Sequence, residues 1–204
     1  MLVASLLLLA ALALSIPEQD GNALDKAAES LMASMKSAGA TAVFKLFSYF
    51  GSSIFIIGIT LVATIMLGWT RGWLRGAAVF TGVGLAFVMN LWIKHWLDRP
   101  RPSAAWGIEA DGASFPSGNA MLAMVMFGML VCTIVQVRGI SRMAKVTSSI
   151  IFIFLILMMG LSRVYFHVHY ITDILGGYSA GMAVISLMMM ILIAIYNKKG
   201  AALS

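Results

Sequence analysis

The chain has 204 residues, of which 61% are hydrophobic and only 11% charged, with a net charge of +6 at pH 7. A soluble domain carries roughly 45–50% apolar and about 25% charged residues, so a water-soluble globule is excluded and a bilayer is the natural solvent. The basic residues sit mostly at the ends of apolar blocks, which gives no surface for nucleic acid.

Six charge-free runs divide the chain, at residues 1–17, 46–70, 76–93, 120–137, 146–161 and 174–196. A helix needs ~20 apolar residues to cross a membrane, and the first and fifth runs can draw on their flanks or sit in thinner bilayer. The sequence predicts an all-α integral membrane protein, one domain over residues 1–204 built as a bundle of six transmembrane helices. The first run carries Ala11-Leu12-Ala13 but no basic region before it, so it is expected to stay as a membrane helix and not to be cleaved.

After the first span, Leu24, Ala28, Leu31 and Met35 recur at helical spacing behind Asn22, a candidate N-cap with Asp25 three residues on. This predicts an amphipathic helix lying in the interface, either tying the first two spans together or gating lipid entry. Arg71 and Arg75, then Arg138, Arg142 and Lys145, then Lys198 and Lys199 mark three cytoplasmic segments by the positive-inside rule. Both termini are then cytoplasmic, and loops 18–45, 94–119 and 163–173, which hold every acidic residue, face outward across an inner (plasma) membrane. Cys132 lies in an apolar run and is assigned a packing role, and Gly177-x-x-x-Gly181 permits close helix approach.

All three histidines, His95, His167 and His169, fall in the second and third outer loops. If the last span starts early enough, His169 and Asp173 form an i,i+4 pair in which the carboxylate fixes one imidazole nitrogen and leaves the other as a nucleophile or base. His167 points elsewhere on such a helix. The second outer loop ends in Phe115-Pro116-Ser117-Gly118-Asn119, a helix start with a capping serine whose backbone N–H groups suit an anion. Beside Lys94, Arg101 and Arg163 it forms a cradle for phosphoryl oxygens. His167, His169 and Asp173 could ligate zinc, but the surrounding cations oppose a metal, so neither metal nor cofactor is expected.

These residues resemble the membrane-bound type-2 phosphatidate phosphatase superfamily, which shares its active-site pattern with the vanadium haloperoxidases. Lys94…Arg101-Pro102 matches its first motif, Pro116-Ser117-Gly118-Asn119 its second except that histidine is usual at the last place, and Ser162-Arg163…His169…Asp173 its third. All lie within residues 94–173. The resemblance implies that His169 takes the phosphoryl group with Asp173 orienting it, and that Lys94, Arg101, Ser117, Gly118 and Arg163 hold the phosphate. Asn119 stands where the family's histidine protonates the leaving oxygen; an amide can donate a hydrogen bond but no proton at neutral pH.

The expected activity is hydrolysis of a lipid phosphate or pyrophosphate through a phosphohistidine, with undecaprenyl pyrophosphate the first candidate. Phosphatidylglycerophosphate and phosphatidate are alternatives. A different class is a phospholipid-headgroup binder silenced at position 119, whether by nature or by an introduced change. Membrane lipids are the expected partners, and oligomeric state is not legible.

Overall fold

The computed structural model describes residues 1–17, 21–103, 105–137 and 139–201, and among them every regular element is a helix. In chain order these are α1 (Leu2–Leu14), α2 (Ala23–Ser34), α3 (Ala38–Phe50), α4 (Ser53–Arg71), α5 (Trp73–Leu97), α6 (Gly118–Gln136), α7 (Arg142–Tyr165) and α8 (Ile171–Ala201). Arg138 and the Lys199 side chain, counted above among the inner cations, lie outside the described residues.

Five helices, α4 to α8, are long and apolar enough to cross a membrane. The fifth apolar run gains its length from both flanks, becoming the 24 residues of α7. The expected first span is a helix of 13 residues, which at ~1.5 Å per residue rises about 20 Å against a hydrocarbon core of ~30 Å. It packs along α8.

The second apolar run, expected as one helix over 46–70, is broken. The last α-helical bond of α3 runs from the Gly51 N–H to the Phe47 carbonyl; Ser52 then turns extended (ψ 147°), and its hydroxyl accepts from the Phe55 N–H and caps α4. Two local capping signals thus override a continuous apolar pattern.

Helix α6 occupies the middle of the bundle, packed by α5, α7 and α8, with Ala120, Met121, Ala123, Val125 and Met126 fully enclosed. Large apolar side chains such as Ile54, Trp69, Trp92 and Phe154 cover the outside, as lipid-facing positions require. Cys132 packs against the core. The small-residue pattern in α8 has a specific use: a Cβ at Gly177 would sit 2.7 Å from the Ser117 carbonyl oxygen, and one at Gly181 2.9 Å from Met124 Cβ. Only glycine lets α8 lie this close to the start of α6.

Helix α2 forms as its sequence predicts, with Asn22 and Asp25 making a reciprocal capping box. Its apolar residues Leu24, Leu31 and Met35 face outward, while Asp25 and Met32 turn into the protein. An exposed apolar stripe suits a helix lying on lipid; a buried aspartate has another cause, given below.

Candidate active site

The site forms where four helix ends meet at one end of the bundle. Helix α5 delivers Lys94 in its last turn before Asp98 enters the left-handed region (φ 35°) and redirects the chain. Helix α6 begins at Gly118, α7 ends two residues after Arg163, and α8 begins just after the 166–170 turn that carries His169. A cleft of about 250 Å³ is lined by Lys94, Arg101, Asp111, Gly118, Asn119, Arg163 and His169, with Asn90 and Phe87 below.

His169 lies ahead of α8 and not within it, so the helical i,i+4 premise does not hold, yet the pair forms through the turn. The His169 Nδ1 lies 3.3 Å from Asp173 Oδ2. On the other side of the ring, Arg101 Nη1 is 3.1 Å from Nε2. A guanidinium can only donate, so Nε2 carries the lone pair and Nδ1 the proton. Burial pushes the imidazole down to about pKa 4, with Asp173 opposing the shift and Arg101 and Arg163 reinforcing it. The ring is neutral at pH 7 and presents a lone pair toward the cations.

Asp173 is fully buried and saturated: Ser114 Oγ and the Tyr170 N–H donate to Oδ2, and Arg99 Nη1 donates to Oδ1 at 2.6 Å. The backbone carbonyl of Asp173 accepts from the Ser117 N–H at 3.0 Å, which ties the start of α8 to the start of α6. Arg101 is held by the Val168, Gly112 and Asp111 carbonyls, Lys94 Nζ by the Ala113 carbonyl, and Arg163 Nη1 by Ser48 Oγ.

Ser117 stands at the N-cap position of α6 but, contrary to the capping role expected from sequence, its hydroxyl makes no capping bond. Ser117 Oγ and Arg163 Nε, beside the cleft, are two of the five buried side-chain atoms without a hydrogen-bond partner among the described residues, the others being on Thr64 and His167. Leaving such groups unpaired costs about 1–3 kcal/mol each, and an anion in the cleft would relieve it. His167 adopts a left-handed backbone (φ 51°) that turns its ring away to Glu29, 3.4 Å off on α2. His95 does not line the cleft.

Sequence reasoning missed Arg99, Ser114, Thr172, Asn90 and the inward role of Asp25. Asn90 Nδ2 donates to the Pro116 carbonyl, and its Oδ1 would be 3.0 Å from a Cβ at position 118, so it shapes the turn before α6. A lone amide inside an apolar run was the available signal. No group of three or more His, Cys, Asp or Glu side chains is placed to hold a metal ion among the described residues.

The model of the PAP2 superfamily matches residues 75–196, from the start of α5 almost to the end of α8. The chain belongs to the PAP2 superfamily. Among curated PAP2 relatives, phosphatidylglycerophosphatase B of Bacillus subtilis (strain 168) is 29% identical over 136 residues, 66% of each chain and so just under two thirds of that relative's length. The crystal structure of a transmembrane PAP2-type phosphatidylglycerolphosphate phosphatase from Bacillus subtilis superposes with a TM-score of 0.84 at 26% identity, covering 95% of this chain and 96% of that one. The structure of LpxE from Aquifex aeolicus shares the fold at 19% identity, with a TM-score of 0.67 over 86% of this chain and 99% of that one. The PAP2 fold and five apolar spans make this a multi-pass membrane protein.

Proposed function

We propose that this chain is a metal-independent lipid phosphatase that works through a phosphohistidine on His169. The observation that carries the reading is the His169 ring itself, fixed by Asp173 at Nδ1 while Nε2 faces a cleft lined by Lys94, Arg101 and Arg163. In the first step the Nε2 lone pair forms an N–P bond as the bond from phosphorus to the lipid oxygen breaks, and that oxygen leaves with the electron pair. Arg101 moves from Nε2 to the phosphoryl oxygens, joined by Lys94, Arg163, Ser117 and the Gly118 amide. Water then attacks phosphorus, the electron pair returns to Nε2, and the water's proton passes to a phosphate oxygen.

Asn119 lines the cleft where a general acid would serve, and this bears on the substrate. A monoester must expel an alkoxide of very high pKa, for which a general acid is worth ~10²–10⁴. A lipid pyrophosphate expels a phosphate monoester whose second pKa is ~6 and which departs as an anion. The preferred substrate is therefore a lipid pyrophosphate, with undecaprenyl pyrophosphate first. The names of the Bacillus subtilis relatives favour phosphatidylglycerophosphate as the second reading. An apolar groove lined by Ile57, Phe80, Val83 and Gly84 meets the cleft at Phe87 and Leu122, which supports a lipid tail in either case.

The test is phosphate release by the detergent-purified protein from a panel of lipid monophosphates and pyrophosphates, with and without chelator, and with Asn119→His alongside. Release should survive chelation and yield to vanadate. The Asn119→His variant should gain at least about tenfold on monoesters and much less on pyrophosphates. An equal gain on both removes the pyrophosphate preference, and silence on every lipid favours the headgroup-binding alternative.

A further inference from the structure

The feature that the phosphatase reading leaves unused is a buried chain of charges running from α2 to the nucleophile. Arg99 is 2% exposed, Asp25 1% and Asp173 not at all. Arg99 Nη2 donates to Asp25 Oδ2 at 2.8 Å and Nη1 to Asp173 Oδ1 at 2.6 Å, while its guanidinium lies 4.0 Å from the Tyr170 ring centroid. Asp25 also accepts from the Thr172 N–H at 3.0 Å and the Thr172 hydroxyl at 2.8 Å. The Arg99 carbonyl accepts from the Ser114 N–H at 2.7 Å, and the same Ser114 bonds the other Asp173 oxygen.

Capping explains little of this. An N-terminal cap works as well in water, whereas burying ions is unfavourable until their partners compensate. An apolar trio of the same volume would hold α2 as well. What an apolar trio could not do is act on His169.

We propose that α2 is part of the active site, with Arg99 a positioning residue that aims the Asp173 carboxylate at His169 and Asp25 the group that holds Arg99 and balances its charge. Asp25, Arg99 and Asp173 together carry one net negative charge. When phosphoryl transfer leaves His169 with Nδ1 still protonated and Nε2 bonded to phosphorus, the ring becomes cationic, and that negative charge stabilises it. Without the Asp25 charge the trio is neutral, and Arg99 draws Asp173 away from the ring.

The other groups lining the space around His169 are Asp173 on α8, Ser114, Arg101 and Asp111 from the loop between α5 and α6, Lys94 on α5, Asn119 on α6, Arg163 on α7, and Glu29 on α2, with His167 and Tyr170 in its own turn. None of these changes in the variants below. The inference rests on His169 being the nucleophile, so its test needs a readout besides turnover.

Histidine-labelled protein in detergent, titrated by nitrogen NMR with His169→Gln for assignment, reads the His169 ring directly. Asp25→Asn should move its titration to lower pH and Arg99→Gln to higher pH, each by about half a unit or more. Arg99→Lys should stay near wild type. In lipid-phosphate hydrolysis, Asp25→Asn should lower kcat about tenfold with KM within about twofold, since the ground state binds as before. Shifts that are absent, or that run the same way in Asp25→Asn and Arg99→Gln, overturn the proposal. If Arg99→Gln does not fold, Asp25→Asn decides alone, and an unmoved or raised titration overturns it. Opposite shifts in a protein that hydrolyses no lipid phosphate would keep the charge chain and remove the phosphatase reading; turnover with unmoved titrations would do the reverse.

Discussion

Two histidines two residues apart meet opposite fates because of one backbone angle. The left-handed turn at His167 sends its ring to Glu29, while His169 is delivered to Asp173 and the cationic cleft. His169→Ala is expected to abolish phosphate release, and His167→Ala to keep at least about a tenth of it, because only His169 has an oriented free nitrogen over the cations. Equal losses would undo the assignment. The same ring has a pH signature. Its pKa of about 4 in the native site lies below the ordinary 6.5. Above 6.5 both folded and unfolded chains leave it neutral and it contributes nothing; as pH falls from 6.5 toward 4 the unfolded chain takes a proton that the native site refuses, so stability drops through that window. Unfolding midpoints of wild type should fall more between pH 7 and pH 5 than those of His169→Gln, and parallel slopes would contradict the burial argument.

At the scale of helices, the close seam between α6 and α8 places the two halves of the site. Gly177 faces the Ser117 carbonyl, and the Asp173 carbonyl receives the Ser117 N–H one turn earlier. Gly177→Leu must push the helices apart, at a cost of about 1–3 kcal/mol, and should lower the thermal midpoint and phosphate release together; an unchanged midpoint would show that the seam yields freely. This seam was visible in the sequence as a small-residue pattern, but its partner was not, because such patterns name no neighbour. The motif residues from Lys94 to Asp173 were legible for a different reason: they lie at helix ends or in the loops between them, where polar residues stand out against apolar runs. Arg99 and Asp25 were hidden. Their pairing spans 74 positions, and Asp25 already had a sufficient local explanation as half of a capping box. The Gly51-Ser52 break was misread because a long apolar run outweighed two capping residues inside it.

Across the whole molecule, the loop holding Arg101 and Asp111 meets the His169 turn at one end, while Arg71 and Arg75 lie at the junction of α4 and α5. Charge asymmetry leads us to propose that the site opens on the outer face, which one-sided labelling tests. With Cys132 replaced by serine, a cysteine at Ala110 should react with an impermeant thiol reagent in intact cells and one at Gly139 should not. The reverse pattern would turn the site inward and rule out lipid phosphates exposed only outside.

The contacts of Asp25 with Thr172, 147 positions apart, and the packing of α1 on α8 also have a meaning for synthesis. A chain emerging into the membrane from its first residue has Asp25, Lys94 and Arg99 in place long before Asp173 and His169 exist. Until α8 arrives, Arg99 lacks one of its two carboxylates and the cations above the cleft have no imidazole between them. The arrival of α8 thus completes the proposed catalytic centre and closes the bundle together.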